Sequence, residues 1–523
     1  METLNENSNT CNITGYGGCS LPRHQDHDEC ILHCSKEEAR RDYHMAKREL
    51  IEFKTQLIEY ILNCVFQHKE ETEQFNKALL TKYLRDPRSF KNDDVKLKLR
   101  NETIVFDFIA FPVFDERDDW NYVPLLNLLG KIHFNYCKFY VAWLEIKEVE
   151  VYFQDCEFFD HWNINNYEML ENVDDIIYQD CDFHEDVSIS FDDSLNKKLV
   201  LKNSQFRDCF FKHMQFDNTI FEKPIFSNSK GFQGKLSSLS MSDCIVNESF
   251  SLKYLALNSF DIFDTVFSNT FEFEKVRISN LRIMDSKFKA LVNYFNCDFY
   301  DFYIYKSTFD DFVGFEYSKF GLFEEGEKEG VCTKFTYVTF LSFVNFRNTV
   351  FRSGLELSEA NFKEYPNFLG TEIDPTNTDV ETYRIIKHSF DKVGNTVEAN
   401  NYFFYEMNKA RKDASFWEDP EKKILLNLNI IISMFGQSFL LPLVWIFILM
   451  IIHYLTLDWM DTFPNAFPSI SKKLNELNGL VKNLIPYKRF LNPGTEFISL
   501  LFLIGYSTFI YHFIVAVKRR TKR

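Results

Sequence analysis

Little in this sequence invites a catalytic reading. It has no Gly-rich nucleotide loop, no nucleophile elbow, no paired-carboxylate motif and no zinc-protease motif. Asp192-Asp193 and Asp310-Asp311 are adjacent in sequence, so on strand-like backbone their side chains face opposite ways. No enzyme is expected. Positive charge is also short: 59 Lys and Arg against 76 Asp and Glu leave a formal net charge of -17. A nucleic-acid binder needs a basic surface to neutralise phosphates, so nucleic acid is not the expected partner. Residues 1–20 lack a secretory leader, which points to the reducing cytoplasm and to free thiols rather than a disulfide scaffold.

What the sequence has in excess is phenylalanine. There are 58, most of them between positions 134 and 368. The clearest stretch is Phe206, Phe211, Phe216, Phe221 and Phe226, a strict spacing of five. Neither the 3.6-residue helix nor the two-residue strand produces that period. A chain that turns a corner every five residues does, with each phenylalanine pointing inward. Two positions earlier stands a small residue: Cys before Phe139, Phe158, Phe183 and Phe299, Ser before Phe288, Phe309 and Phe320, Thr before Phe267 and Phe351. Six cysteines (Cys137, Cys156, Cys181, Cys209, Cys244, Cys297) take this place and read as small core residues. Large and small inward residues in alternation suit a narrow solenoid interior.

These residues resemble the pentapeptide-repeat family, whose repeat centres on Phe or Leu with a small residue two positions before. The resemblance implies a mainly β fold, a right-handed quadrilateral β-helix with about four repeats per coil, over residues 134–370. Some eleven coils at about 4.8 Å each would make a rod roughly 50 Å long. The pattern lapses at 160–175, 227–239 and 323–330, where loops or bulges are expected; Glu324, Glu325, Glu327 and Glu329 lie in the last. Some members of this family are acidic rods that mimic DNA and bind topoisomerases, and that remains an alternative function.

Flanking regions follow. Residues 37–101 read as helical with a polar linker, the apolar set being Leu50, Phe53, Leu57, Tyr60, Ile61 and Leu79; residues 102–133 read as a strand-rich cap. Residues 371–423 read as a helical hairpin turning at Gly394-Asn395 and capping the solenoid, because exposed coil ends invite aggregation. Residues 424–523 form a membrane module. Positions 424–457 hold no Asp, Glu, Lys or Arg, and divide into an interfacial approach at 424–437 and a span at about 439–457. A second span at about 497–517 ends in Lys518, Arg519 and Arg520, which should anchor it on the cytoplasmic side and return the solenoid to that side. Lys472, Lys473, Lys482, Lys488 and Arg489 between the spans pull the other way. The connecting loop carries an apolar stripe (Ile470, Leu474, Leu477, Leu480, Val481, Leu484) suited to the membrane surface or to packing on the spans.

Phe435-Gly436-Gln437-Ser438, Asn465-Ala466-Phe467-Pro468, the stretch Ser499-Leu500-Leu501-Phe502-Leu503-Ile504-Gly505, Cys30-Ile31-Leu32-His33 and Phe108-Ile109-Ala110-Phe111-Pro112 together resemble bacterial membrane proteins that join pentapeptide repeats to a two-helix module, some of them ion-channel-like. The resemblance implies the bacterial inner membrane. No Thr-Val-Gly-Tyr-Gly filter lies between Asp458 and Glu496, and Gly505-Tyr506 comes too late to serve as one. A pore and a membrane-bound binding or sensor rod therefore stay open, as does a phage-defence effector. The expected partners are the lipid bilayer, further copies of the chain, and a protein that binds the rod. Tyr506, Ser507, Thr508, Tyr511 and His512 form a polar belt suited to helix–helix hydrogen bonds.

At the other end, within residues 1–36, Cys11, Cys19, Cys30 and His33 supply three thiols and an imidazole, a legitimate structural zinc set, with His24, His27 and Cys34 as spare donors. The alternative is an irregular terminus with incidental cysteines.

Overall fold

The computed structural model describes residues 10–13, 19–37, 45–66, 77–86, 96, 99–114, 120–147, 149–164, 177–189, 198–202, 206–227, 236–322, 330–466, 468–481 and 495–521. The chain divides into two compact units, residues 1–352 with 359–364, and residues 353–358 with 365–523.

The first unit is built on a parallel β-solenoid of about ten turns. Four parallel sheets form its walls, and successive strands of one wall come from successive coils. The five evenly spaced phenylalanines trace one coil. Phe206 pairs directly with Phe226, one coil on, while Phe211 and Phe216 occupy a second wall and Phe221 a third. The first four are 5% exposed or less. Further along, a coil takes 21 residues, as the hydroxyl contacts Thr265–Ser286 and Ser286–Ser307 show. The added residue lies between Phe267 and Phe273, both buried.

Stacked side chains fill the bore. Phe267, Phe288, Phe309, Phe340 and Phe362 form one column with ring centroids 4.9, 4.7, 5.1 and 5.0 Å apart. Phe106, Phe134, Phe153, Tyr178 and Phe206 form another at 5.4, 5.1, 4.9 and 5.1 Å. Those separations are the inter-strand distance of a sheet, so the backbone ladder sets the stacking.

One corner rule organises the coils. The residue just before the small inward position has positive φ, as at Tyr136, Asp155, Asp180, Asp208, Asp243, Asp264, Asp285, Asn296 and Lys306. Asp and Asn tolerate this left-handed conformation better than most residues. The corner N–H then bonds the next coil: Asp264 N–H donates to Met284 O at 3.1 Å and Asp285 N–H to Tyr305 O at 3.0 Å. The small residue that follows turns its polar atom back onto the backbone. Thr265, Ser286 and Ser307 hydroxyls donate to the carbonyls two residues before them. Cys137, Cys156, Cys181 and Cys209 donate to a carbonyl of the preceding coil. Burial pushes the thiols of Cys156, Cys181 and Cys209 well above their ordinary range, which keeps them protonated and inert.

The solenoid begins upstream of residue 134. Thr103–Asp107 pairs with Lys131–Asn135 and Ala110–Phe111 pairs with Lys138–Phe139, so the strand-rich segment is itself the first coil. Phe108 is its left-handed corner. Two stretches expected as loops contain strands: Trp162–Asn163, with Trp162 buried, and Leu236–Ser242. Residues 165–176, 228–235 and 323–329, with Glu324, Glu325, Glu327 and Glu329, lie outside the described residues, as does Asp192-Asp193. Asp310 pairs with Lys287 at 3.1 Å, while Asp311 accepts from Phe312 N–H.

Helices α1 (Lys47–Phe66) and α2 (Lys77–Arg85) belong to this unit, with a short α3 (Val123–Leu126). Leu50, Phe53, Leu57 and Ile61 form the fully buried stripe of α1, and Phe53 meets Phe111 edge-on at 6.0 Å.

The second unit is helical: α4 (Val380–Lys392), α5 (Thr396–Asp413), α6 (Pro420–Ser433), α7 (Leu440–Ala466), α8 (Pro468–Val481) and α9 (Glu496–Thr521). The α4–α5 hairpin turns at Gly394, whose φ of +78° suits glycine. Asp379 and Asn395 cap its two helices. Thr378 and Thr382 hydroxyls accept from the N–H groups of Leu355 and Leu357, so these strand-edge donors end on side chains of this unit. Burial pushes the Tyr383 phenol at the hairpin centre up to about 12.

Candidate metal centre and membrane segment

The N-terminal head gathers four widely spaced donors. An antiparallel bridge joins Thr10 to Pro22, and Cys11 N–H donates to Leu21 O at 2.9 Å, which folds the first segment onto the second. The Cys30–His33 turn closes through His33 N–H and Cys34 N–H, both donating to Cys30 O. Ala110 N–H donates to Leu32 O at 2.8 Å and ties that turn to the first coil. One ligand atom each from Cys11, Cys19, Cys30 and His33 then lies within 4.8 Å of every other. His33 Nδ1 stands 3.4 Å from Cys11 Sγ and 3.3 Å from Cys30 Sγ, and Cys19 Sγ is 3.8 Å from Cys30 Sγ.

Such a cluster could hold a metal ion. Burial, with the neighbouring Lys36 cation, pulls His33 down to about 4, so the imidazole is neutral near pH 7 and able to ligate. Burial also pushes the Cys30 thiol up, with the nearby Cys19 and Cys11 thiols adding to it. The spare donors stay apart. His24 and His27 stack on each other at 6.4 Å, and Cys34 accepts from the buried Lys36 ammonium at 3.1 Å.

In the second unit, α7 and α9 are long and apolar enough to cross a membrane, with only 6% of each apolar window buried. Leu443, Phe447, Ile451 and Leu455 on α7 and Leu501, Ile504 and Ile514 on α9 face outward. The helices meet at small or flat groups. A Cβ added to Gly505 would stand 2.9 Å from Leu449, and His453 stacks on Phe502 at 4.2 Å. Of the polar belt, His512 meets Ser433 at 3.1 Å, Thr508 bonds its own helix, and Tyr511 is 64% exposed. On α8, Asn478 Oδ1 accepts from Phe497 N–H and Val481 is buried, whereas Leu480 is exposed. Lys482, Leu484, Lys488 and Arg489 lie outside the described residues.

The terminal basic residues have unlike surroundings. Lys518 and Arg520 are exposed, the latter 5.4 Å over the Phe439 ring. Arg519 instead turns inward. Its guanidinium lies 4.2 Å over Phe403 and donates to Phe435 O, while its own carbonyl accepts from Asn400 Nδ2 at 2.9 Å. The receiving turn is unusual: Met434, Phe435 and Gly436 have consecutive positive φ of 49°, 54° and 83°. A Cβ on Gly436 would come 3.1 Å from the Arg519 guanidinium. The Phe435-Gly436-Gln437-Ser438 motif is therefore a socket for an arginine 84 residues away. The charge of Arg519 suggested anchoring; only the pairing with that motif reveals the socket.

No known protein family, curated protein or solved structure matches this chain.

Proposed function

We propose that this protein is a membrane-anchored binding or sensor rod, with its solenoid held on the cytoplasmic side of a bacterial inner membrane by α7 and α9. The observation that carries this reading is the outward apolar surface of both helices, which no other described part of the chain covers. A soluble fold would bury such faces. The repeat grammar, with its inward Phe and a small residue two positions before, favours a pentapeptide-repeat solenoid. The Asn400–Arg519 bond keeps the α4–α5 hairpin beside the C-terminus, as two spans require.

We assign a structural zinc ion to the head. A zinc tetrahedron with Zn–S near 2.3 Å and Zn–N near 2.0 Å has edges of about 3.8 Å between sulfurs and about 3.5 Å between sulfur and nitrogen. The Cys19–Cys30 separation is 3.8 Å, His33 Nδ1 is 3.3 and 3.4 Å from the sulfurs of Cys30 and Cys11, and the remaining edges are within 4.8 Å. Four protein donors fill the coordination shell, so the ion would stiffen the head rather than react.

The test is alkaline carbonate extraction of membranes, followed by mass measurement and planar-bilayer recording of the purified full-length chain. Retention in the membrane and a silent bilayer from a folded oligomer are expected. Release into the supernatant would overturn the membrane assignment. Conductance steps that vanish when residues 497–523 are deleted would replace the anchor with a pore.

A further inference from the structure

The α6 helix is amphipathic in an unusual place. Lys423 Nζ donates to Arg411 O and Ala414 O, and Arg411 reaches Asn427, so one face of α6 is fastened under the end of α5. The other face presents Ile424, Leu425, Leu428 and Ile431, each between 48% and 52% exposed. Just ahead of it, Phe416 is 50% and Trp417 91% exposed.

Two hydrogen bonds fix the depth of this helix against the spans. Trp445 Nε1 donates to Ile431 O at 3.0 Å, and Ser433 Oγ meets His512 Nδ1 at 3.1 Å. Trp445 is five residues inside the start of α7, and His512 is seven residues inside Arg519, about 7.5 and 10 Å at a rise of 1.5 Å per residue. The chain then returns through the Met434–Phe435–Gly436 turn to the level of Arg519. The end of α6 thus lies roughly 7–10 Å inward from the level of the terminal basic residues, the depth at which interfacial helices sit, about 5–10 Å into the boundary between headgroups and acyl chains.

We infer that α6 with Phe416 and Trp417 is a membrane-interface helix: its apolar face rests in the leaflet on the C-terminal side, Trp417 lies among the headgroups, and the α4–α5 hairpin rides on its polar face. The occupant of the apolar face is lipid, because α6 is bonded at Ile431 and Ser433 to the two helices whose own apolar residues are exposed. Tryptophan at the headgroup level is the usual amphipathic anchor. The inference rests on α7 and α9 spanning the bilayer.

The experiment reconstitutes the full-length protein in phosphatidylcholine vesicles carrying bromine either near the ester end or near the chain terminus. Tryptophan fluorescence is compared among wild type, Trp417→Phe and Trp445→Phe. The Trp417→Phe variant should lose a component quenched by shallow bromine and untouched by iodide, and Trp445→Phe should lose a lipid-quenched component. Iodide quenching of the Trp417 component, or quenching by neither agent because a second copy covers it, overturns the inference while Trp445 still reports lipid. If the Trp445 component is not lipid-quenched either, the membrane assignment fails with it.

Discussion

Replacing Phe288 by alanine tests whether the solenoid is held ring by ring. Phe288 is fully buried, stacked 4.9 Å from Phe267 and 4.7 Å from Phe309, with Phe271 edge-on at 5.1 Å. Truncating a buried phenylalanine costs about 3–5 kcal/mol, and aromatic pairs contribute about 0.5–1.5 kcal/mol beyond the area they bury. The hole cannot close easily. Lys287 and Phe288 are paired on one side with Val266 and Phe267 and on the other with Thr308 and Phe309, so the ladder holds the walls apart. The upper half of the range is expected. A solenoid couples each coil mainly to its neighbours, so the loss should stay local. At about 1.4 kcal/mol per factor of ten, amide hydrogen exchange in coils 256–320 should accelerate roughly a thousandfold to a few thousandfold. Residues 131–158 should keep their protection. Phe288→Leu, which retains most of the volume, should cost at most about 1.5 kcal/mol. Less than a tenfold change near position 288, or equal acceleration along the whole solenoid, would refute the local-stacking argument.

The corner rule predicts that Asp285→Val, which puts a β-branched side chain at a φ of 49°, lowers the midpoint of chemical unfolding, at about 1–3 kcal/mol, while Asp285→Gly is close to neutral. Elemental analysis should find one zinc per chain, lost in Cys30→Ser and kept in Cys34→Ser, since Cys34 is committed to Lys36. In the metal-free head, His33 is depressed from 6.5 to about 4, so its contribution is intact above pH 6.5 and is lost as pH falls towards 4; thermal unfolding of chelator-treated protein across that window checks the sign. Arg519→Lys keeps the charge but not the flat stack on Phe403, and should raise protease sensitivity of the hairpin around Asn400–Phe404. Unchanged cleavage would mean that the socket does not hold the hairpin.

The solenoid was legible because its interior repeats: each coil offers one large and one small inward site, so the same residue types recur at a readable period. The stretch from Phe206 to Phe226 spells out one coil for that reason. What escaped is what the backbone decides without demanding one side chain. The left-handed corner accepts Asp, Asn, Tyr or Lys, so no single letter marks it, although it stands directly before the small residue that was read. The same tolerance hides the first coil, where Ile109 takes the place of the small residue before Phe111. At the head, Cys11, Cys19, Cys30 and His33 had the right chemistry at loose spacing. Their convergence depends on the Thr10–Pro22 bridge, which spacing does not encode.

At the C-terminal end, three basic residues that read alike in sequence meet unlike surroundings. Lys518, Arg519 and Arg520 look alike in sequence, but a helix turns about 100° per residue, so neighbours point to different surroundings. Lys518 and Arg520 stay exposed, whereas Arg519 meets the carbonyl of Phe435 and the ring of Phe403. Its charge is offset by a carbonyl dipole and a ring face, leaving fewer free cations to orient the last span against Lys473 in the connecting segment. Yet the same contacts make the outcome less dependent on that count. If α7 and α9 both cross, the chain leaves from and returns to one face, and the Asn400 bond to the Arg519 carbonyl would hold hairpin and C-terminus together there, whichever face the charges select. The crossings alone would bring hairpin and terminus to one face, and the socket would hold them in contact there.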